Sequence, residues 1–424
     1  MYLQNSNNFS IRAERQGPPH LTKLSFPMLY GKYSSIKTPE YEFIFNLNGE
    51  IRFIKGISVG WPHPAELLKR TAGNDWVYYT VGDQSGDQGI ISWVGEYYLP
   101  CLPYPSNPIW EIDYFSNPVI MNAFAAWSQL YANLYGAQDK RLHPKEKKLV
   151  ENILLNNDNI LFERSQKLHS ILGERITVLP PDTRHVDYEV IPINISDGCL
   201  YHCRFCCVKS AQQYRTRSES DISNQIRELK ALFDRNLENY NGLFLGNHDA
   251  LEAGEELLLT TVSRAFDEFG FKTHTITPSL FLFGSVHSFL KAKSRLFDKF
   301  NTLPFSTYIN IGLESVDKST LEYIGKPVNE SGVRKAFTKM IDINNTFNNI
   351  NVTANFVIGK ELSSDHYESL KELLGNAQCT SRDKGTVYLS PLKDSPKKRE
   401  LLPLVKEIKS ASKLPVYIYL IQRL

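Results

Sequence analysis

The chain has 424 residues, 42% of them hydrophobic and 22% charged, with a formal net charge of +2. That is long enough for a sizeable core and two or three units, too hydrophobic for extensive disorder, and too nearly neutral to argue for nucleic acid as a partner. No run approaches the roughly 18 apolar residues that span a membrane, and the polar N-terminus, MYLQNSNNFSIRAERQG, lacks the apolar stretch of a secretory signal. A cytoplasmic protein with no membrane partner is expected.

The first unit, residues 1–180, reads as an α+β domain. Tyr41 to Phe45, Asn48-Gly49 and Ile51 to Ile54 predict a β-hairpin with a tight turn. Trp76 to Val81 predicts a strand, the Gly- and Asp-rich stretch Asp83 to Gly89 a loop, and Ile90 to Leu99 another strand, ended by the proline-rich crossing Pro100 to Pro108. Val119 to Tyr135 is free of proline and predicts a helix, as does Lys145 to Leu172, with a break near Asn156-Asn157-Asp158. The basic run Lys140 to Lys148 reads as a solvated helix start. Asp75, Asp83 and Asp87 read as turn residues. The unit holds no chemical motif but many Tyr, Phe and Trp residues, so it is expected to cover a pocket rather than to catalyse.

From Pro180-Pro181 onward, short apolar runs alternate with amphipathic ones. Strands are predicted at Val190 to Ile195, Leu243 to Leu245, Thr273 to Thr277, Thr307 to Leu313, Val352 to Ile358 and Thr386 to Leu389. Between them lie predicted helices at Ser218 to Asn236, Ala253 to Phe269, Phe289 to Phe297, Glu330 to Ile341 and His366 to Leu374. This alternation predicts an α/β unit over 181–392, closing as an incomplete parallel (β/α)6 barrel. A C-terminal extension, 393–424, carries a final strand, Val416 to Ile421.

Four of the six cysteines fall within nine residues, in DGCLYHCRFCCVKS from Asp197 to Ser210. That crowding suits a metal site in a reducing compartment better than a disulfide framework. Cys199, Cys203 and Cys206 are spaced C-x3-C-x2-C directly after the first strand of the α/β unit. Three thiolates bind three irons of a cubane and leave the fourth open, whereas electron-carrying cubanes use four cysteines. A zinc site that adds His202 is the alternative. Structural zinc sites pair two separated knuckles, and here every candidate ligand lies in one short run. Cys207 points elsewhere by adjacency and is either an idle thiol or a hydrogen-atom donor.

With Phe205 before its last cysteine, this run resembles the cluster signature of the radical S-adenosylmethionine superfamily. The resemblance covers about Tyr188 to Leu392 and implies two cofactors, a [4Fe-4S] cluster and S-adenosylmethionine. In that superfamily the open iron chelates the methionine end of S-adenosylmethionine, and one electron releases methionine and a 5′-deoxyadenosyl radical. FLGNHDAL, Phe244 to Leu251, looks like the second-strand segment that contacts the methionine amino group, with Gly246, Asn247 and His248 in the matching place. The usual glutamate is absent, which leaves a backbone carbonyl or Asp249 as acceptor. INIGLESVDKSTLEYIGKP, Ile309 to Pro327, resembles the fourth-strand segment and implies a ribose or ammonium contact at Glu314 and Ser315. NFVIG, Asn355 to Gly359, is expected beside the adenine with Phe205. Arg215 and Arg217 follow the cluster loop, where a basic residue in similar proteins orients the methionine carboxylate or the substrate.

The expected function is hydrogen abstraction from a small or medium-sized metabolite, with an external one-electron reductant such as a flavodoxin or ferredoxin as partner. Radical modification of RNA or of a protein is the alternative, and a non-enzymatic iron–sulfur or scaffold protein a third. The chain shows no second cubane set, no cobalamin-type D-x-H-x-x-G run and no RNA-binding module after the α/β unit.

Overall fold

The computed structural model describes residues 9–17, 29–82, 99–109, 113–136, 142–206, 212–246, 248–381, 383–395 and 398–424. Most of the loop and strand expected over Asp83 to Leu99, together with Cys207 and Asn247, lies outside them.

The N-terminal half is an antiparallel meander of seven strands: β1 (Ser10–Gln16), β2 (Lys32–Lys37), β3 (Tyr41–Phe45), β4 (Ile51–Gly56), β5 (Leu67–Arg70), β6 (Trp76–Thr80) and β7 (Leu99–Cys101). The expected hairpin is β3–β4. Gly49 turns it with φ +80, and a Cβ there would lie 2.6 Å from the Asn152 backbone, so position and conformation both require glycine. Alternation along β3 sends Phe43 and Phe45 to one face, where both pack on Trp127 at ring distances of 6.0 and 5.7 Å. Trp127 belongs to α1 (Pro118–Tyr135), and α2 (Pro144–Leu154) and α3 (Asp158–Leu172) follow. The break between α2 and α3 falls where expected, with Asn157 capping α3.

The C-terminal half is built on seven parallel strands, β8 (Ile191–Ile193), β11 (Gly242–Leu245), β12 (Ser279–Ser285), β13 (Ser306–Glu314), β14 (Ile350–Ile358), β15 (Val387–Pro391) and β16 (Val416–Ile418), hydrogen-bonded in that order. A two-stranded antiparallel ribbon, β9 (Ser196–Asp197) with β10 (Arg215–Thr216), brackets the cysteine loop. The sheet has one strand more than the six expected, because β16 pairs parallel with β15. Phe283 of β12 and Tyr417 of β16 pack against one apolar cluster with Tyr388 of β15, Val178 and Tyr419.

The third strand corrects the sequence reading. Phe271–His274 is a short helix, and the strand is the later run SLFLFGS. A parallel strand is covered on both faces and reads as a continuous apolar run, which Leu280 to Phe283 supply and Thr273 to Thr277 do not. The helix expected over Phe289 to Phe297 is two, Val286–Lys291 and Ser294–Thr302, separated at Ala292-Lys293. Among the described residues no helix is long and apolar enough to cross a membrane.

The N-terminal sheet joins the parallel sheet at the N-terminal ends of its strands. Lys32 N–H donates to Asn239 Oδ1 at 2.7 Å, just before β11. Arg52 and Lys69 reach Glu189, just before β8, at 2.7 and 2.9 Å. The expectation that this region covers the opposite, C-terminal edge therefore fails for the sheet itself. Among the described residues the crossing segment reaches that edge: Asn107 Nδ2 donates to the Pro391 and Tyr419 carbonyls at 3.3 and 3.0 Å.

Glu189 holds two buried cations. Burial works to raise its carboxyl, but Arg52 and Lys69 hold it down at about 2. Glu189→Ala should destabilise the chain by about 3–5 kcal/mol, because it leaves both cations uncompensated; the urea midpoint measures this. The contribution is present above the unfolded carboxyl value of about 4.3 and is lost as pH falls through that value toward 2. The variant's deficit should accordingly shrink in acid.

Candidate active site

The cysteine loop leaves β9 through Gly198, whose φ is +76 and whose Cβ would lie 2.2 Å from the Gln213 carbonyl oxygen. Only glycine lets the two arms of the loop approach this closely. Cys199 N–H then donates to the Gln212 carbonyl at 3.3 Å, so the loop is closed at its base. At its tip, Arg204 N–H donates to the Ile324 carbonyl at 2.9 Å, which rests the loop on the end of the helix Lys318–Ile324. Cys203 is buried, while Cys199 and Cys206 are partly exposed. Phe205 packs against Ile324, Val357, Leu362 and Leu392.

No disulfide joins the described cysteines. Among the described residues no three His, Cys, Asp or Glu side chains converge as a site for one metal ion. A cubane places each thiolate on a different iron, whereas zinc draws four ligands onto one centre. Burial pushes the Cys199 and Cys203 thiols up, and the Lys326 ammonium draws both down.

Lys326 was not singled out from the sequence. It is buried, with its ammonium 3.2 Å from Glu314 Oε1 and 5.7 Å from the centre of the Tyr201 ring. Burial alone would lower the Lys326 amine, but Glu314 and Cys203 raise it. Glu314 ends β13 at φ +66, just past a register shift. A non-glycine residue in this region is strained, and such strain is characteristic of functional strand ends. Gly312 makes room for the carboxylate, since a Cβ there would lie 2.5 Å from Glu314 Oε1.

On the second strand's continuation, Gly246 has φ +76 and donates to the Ile193 carbonyl at 2.7 Å. His248 Nε2 and Asp249 Oδ2 follow, both buried and both without a hydrogen-bond partner among the described residues. Burial lowers the His248 imidazole and raises the Asp249 carboxyl, whose Oδ1 accepts from Ser288 at 2.7 Å. Asp249 and Lys326 both act electrostatically on Cys199, so the second- and fourth-strand segments meet at the cysteine loop.

Five expected cofactor contacts have partners within the chain. Ser315 Oγ lies 2.8 Å from His366 Nδ1 and accepts from Asp317 N–H at 2.9 Å. His366 Nε2 faces the Val357 carbonyl at 2.9 Å, so Nε2 carries the proton and Ser315 donates to Nδ1. Arg217 places Nε and Nη2 on Asp197 Oδ1 at 2.9 and 2.5 Å and also donates to the Leu172 carbonyl at 2.7 Å. Arg215 reaches Asp197 Oδ2 at 3.1 Å, its side chain otherwise largely exposed. Register causes this, because β9–β10 pairing sets Asp197 opposite Arg215. Asn355 stands in a reciprocal amide pair with Asn310, at 2.6 and 3.1 Å. Gly359 exchanges hydrogen bonds with the Tyr367 hydroxyl at 3.0 and 2.5 Å.

The family model of the Radical SAM superfamily matches residues 193–374. The chain thus carries a radical SAM domain over these residues, with no subfamily specified. Among solved structures, a radical SAM methyltransferase from Sphaerobacter thermophilus is similar over 54% of this chain and 65% of its own, at 13% identity and a TM-score of 0.37. The cobalamin-dependent S-adenosylmethionine radical enzyme OxsB is similar over 53% of this chain and 31% of its own, at 17% identity and a TM-score of 0.33. Methylornithine synthase, PylB, is similar over 68% and 81%, at 10% identity and a TM-score of 0.31. This chain thus spans less than two thirds of the first two. No curated protein matches it.

Two outcomes follow from the local geometry. Burial lowers the His366 imidazole below its unfolded value of about 6.5. The neutral ring's contribution is therefore full above that pH and declines as pH falls through it, by about 1 kcal/mol per unit. Between pH 7.5 and 5.5 the wild type should lose more thermal stability than His366→Asn, as read from paired melting curves. Asp197→Asn should remove the charge that joins both arginines to the loop base. Anaerobically reconstituted Asp197→Asn should lose iron to a chelator faster than wild type, while Asp197→Glu recovers most of the retention.

Proposed function

We propose that this chain is a radical S-adenosylmethionine enzyme that abstracts hydrogen from a small or medium-sized metabolite. The observation that carries the reading is the convergence, at one edge of a parallel sheet, of a three-cysteine loop, the buried Glu314–Lys326 pair and the unpartnered atoms of His248 and Asp249. Ligands in parallel α/β units gather at this edge. The apolar cluster shared by Phe283 of β12 and Tyr388 of β15 supports a partial barrel with a concave pocket.

Soft thiolates beside a buried cation suit an anionic iron–sulfur cluster, and Cys199, Cys203 and Cys206 would hold it. When bound and reduced, a [4Fe-4S] cluster supplies the electron that cleaves S-adenosylmethionine into methionine and a 5′-deoxyadenosyl radical, which takes a hydrogen atom from the substrate. The chain's own residues bind and aim. Gly246, His248 and Asp249 face the methionine amino group. Glu314, held by Lys326, accepts from the ammonium or the ribose hydroxyls. Phe205, Asn355 and Gly359 border the adenine. Positioning is the protein's main lever on such a step. An external one-electron reductant, of the flavodoxin or ferredoxin kind, completes the system.

Reconstituted protein should bind four irons and consume S-adenosylmethionine when reduced, and single Cys199, Cys203 and Cys206 to Ala variants should lose both properties. A Cys203→Ala protein with a normal, competent cluster would overturn the assignment. Glu314→Gln should weaken S-adenosylmethionine binding by about 1–3 kcal/mol, the cost of a lost buried acceptor, with iron content unchanged. Affinity and iron measured on one anaerobic sample separate the two effects.

A further inference from the structure

Opposite the proposed active edge, four cations gather where the N-terminal sheet meets the strand starts. Three have carboxylate partners: Arg52 and Lys69 share Glu189 at 2.7 and 2.9 Å, and Arg164 pairs with Glu50 at 2.5 Å. The fourth, Arg70, is only 3% exposed and has none among the described residues. Its hydrogen bonds go to neutral acceptors, Asn74 Oδ1 at 2.6 Å and the Leu161 carbonyl at 3.3 Å. A buried charge without a counter-charge is costly, and folded proteins pair such groups.

Arg70 lines a cavity of about 30 Å³, with Asn48, Glu50, Arg52, Arg164 and Tyr240 among the other walls. A water-sized particle needs roughly 10–15 Å³ of such space, so the cavity takes a monatomic ion. Glu50, the carboxylate in the wall, is already engaged by Arg164 and by Asn46 Nδ2 at 3.0 Å. The remaining charge in the wall is cationic.

We propose that this cavity is a binding site for one small monovalent anion of chloride size, which serves as the missing counter-ion of Arg70. Burial, with the neighbouring Arg52 and Arg164, moves the Arg70 guanidinium downward to about 10 even though Glu50 works to raise it, so the carboxylate in the wall only partly offsets the charge. The walls come from β4, β5, α3 and the segment Leu232 to Tyr240 that leads into β11. A bound anion therefore ties the N-terminal sheet to the start of the parallel sheet. Nothing in this inference depends on the chemistry at the other edge.

The test uses full-length, anaerobically purified protein. Melting temperature is followed as sodium gluconate is exchanged for chloride or bromide at constant ionic strength and pH. The expected result is a saturable rise with either halide that disappears in Arg70→Met, together with an anomalous peak beside Arg70 in crystals grown in bromide. An unchanged halide response in Arg70→Met overturns the proposal. So does a wild-type bromide crystal with only water in the cavity, a result that stands even if the variant fails to fold.

Discussion

A carboxylate and an ammonium buried side by side, Glu314 and Lys326, organise the C-terminal edge of the parallel sheet. Such a pair persists away from water only if its partners are well placed, because each ion has given up its hydration. The surrounding chain meets that demand. Gly312 leaves room for the carboxylate, Glu314 accepts a left-handed backbone, and the Tyr201 ring lies over the ammonium. Tyr201 sits between Cys199 and Cys203, so the same cation that fixes Glu314 faces the loop that would carry an anionic cluster. Strain at the strand end and charge at the loop are two consequences of one buried ion pair.

The two edges of the sheet handle buried charge differently. At the N-terminal edge Glu189 neutralises cations from β4 and β5, and this joins the two halves of the chain. At the C-terminal edge the crossing segment docks by a neutral amide, Asn107, inserted among carbonyls of β15 and the tail. A neutral contact near the reacting edge leaves the local potential to Lys326, Glu314, Asp249 and the cysteines.

Local features were legible in the sequence, and long-range pairings were not. The cysteine loop, the Asn48-Gly49 hairpin and the α2–α3 break are set by residues within a few positions of one another. Arg217 reads as a free guanidinium until β9–β10 pairing brings Asp197 to it across twenty residues of chain. Ser315 reads as a strand-end ligand, and only the fold brings His366 to it. Lys326 looks like a surface lysine in YIGKP, although a lone charge after an apolar Leu-x-x-Ile pair is a faint signal of burial. The third strand was misplaced because THTIT carries β-branched residues, whereas continuous burial favours SLFLFGS. β1, SIRAERQ, escaped because an edge strand tolerates polar side chains on both faces.

Once the engaged groups are set aside, the polar capacity left at the C-terminal edge is narrow. Ser315, Arg215 and Arg217 have partners of their own. Among the described residues, the groups that remain include Asp249 Oδ2, His248 Nε2 and the second oxygen of Glu314, which takes no hydrogen bond among them. Two of these are acceptors only when ionised, and the lowered imidazole is neutral and offers one donor or one acceptor. A ligand that satisfies them must bring several donors on a short frame, as an α-ammonium and vicinal hydroxyls do. A purely anionic ligand would meet carboxylates on both sides and find only Lys326, already paired. This complementarity favours an amino-acid nucleoside over a phosphate or simple acid at this edge, and it rests on hydrogen-bond capacity alone, apart from the cysteine spacing.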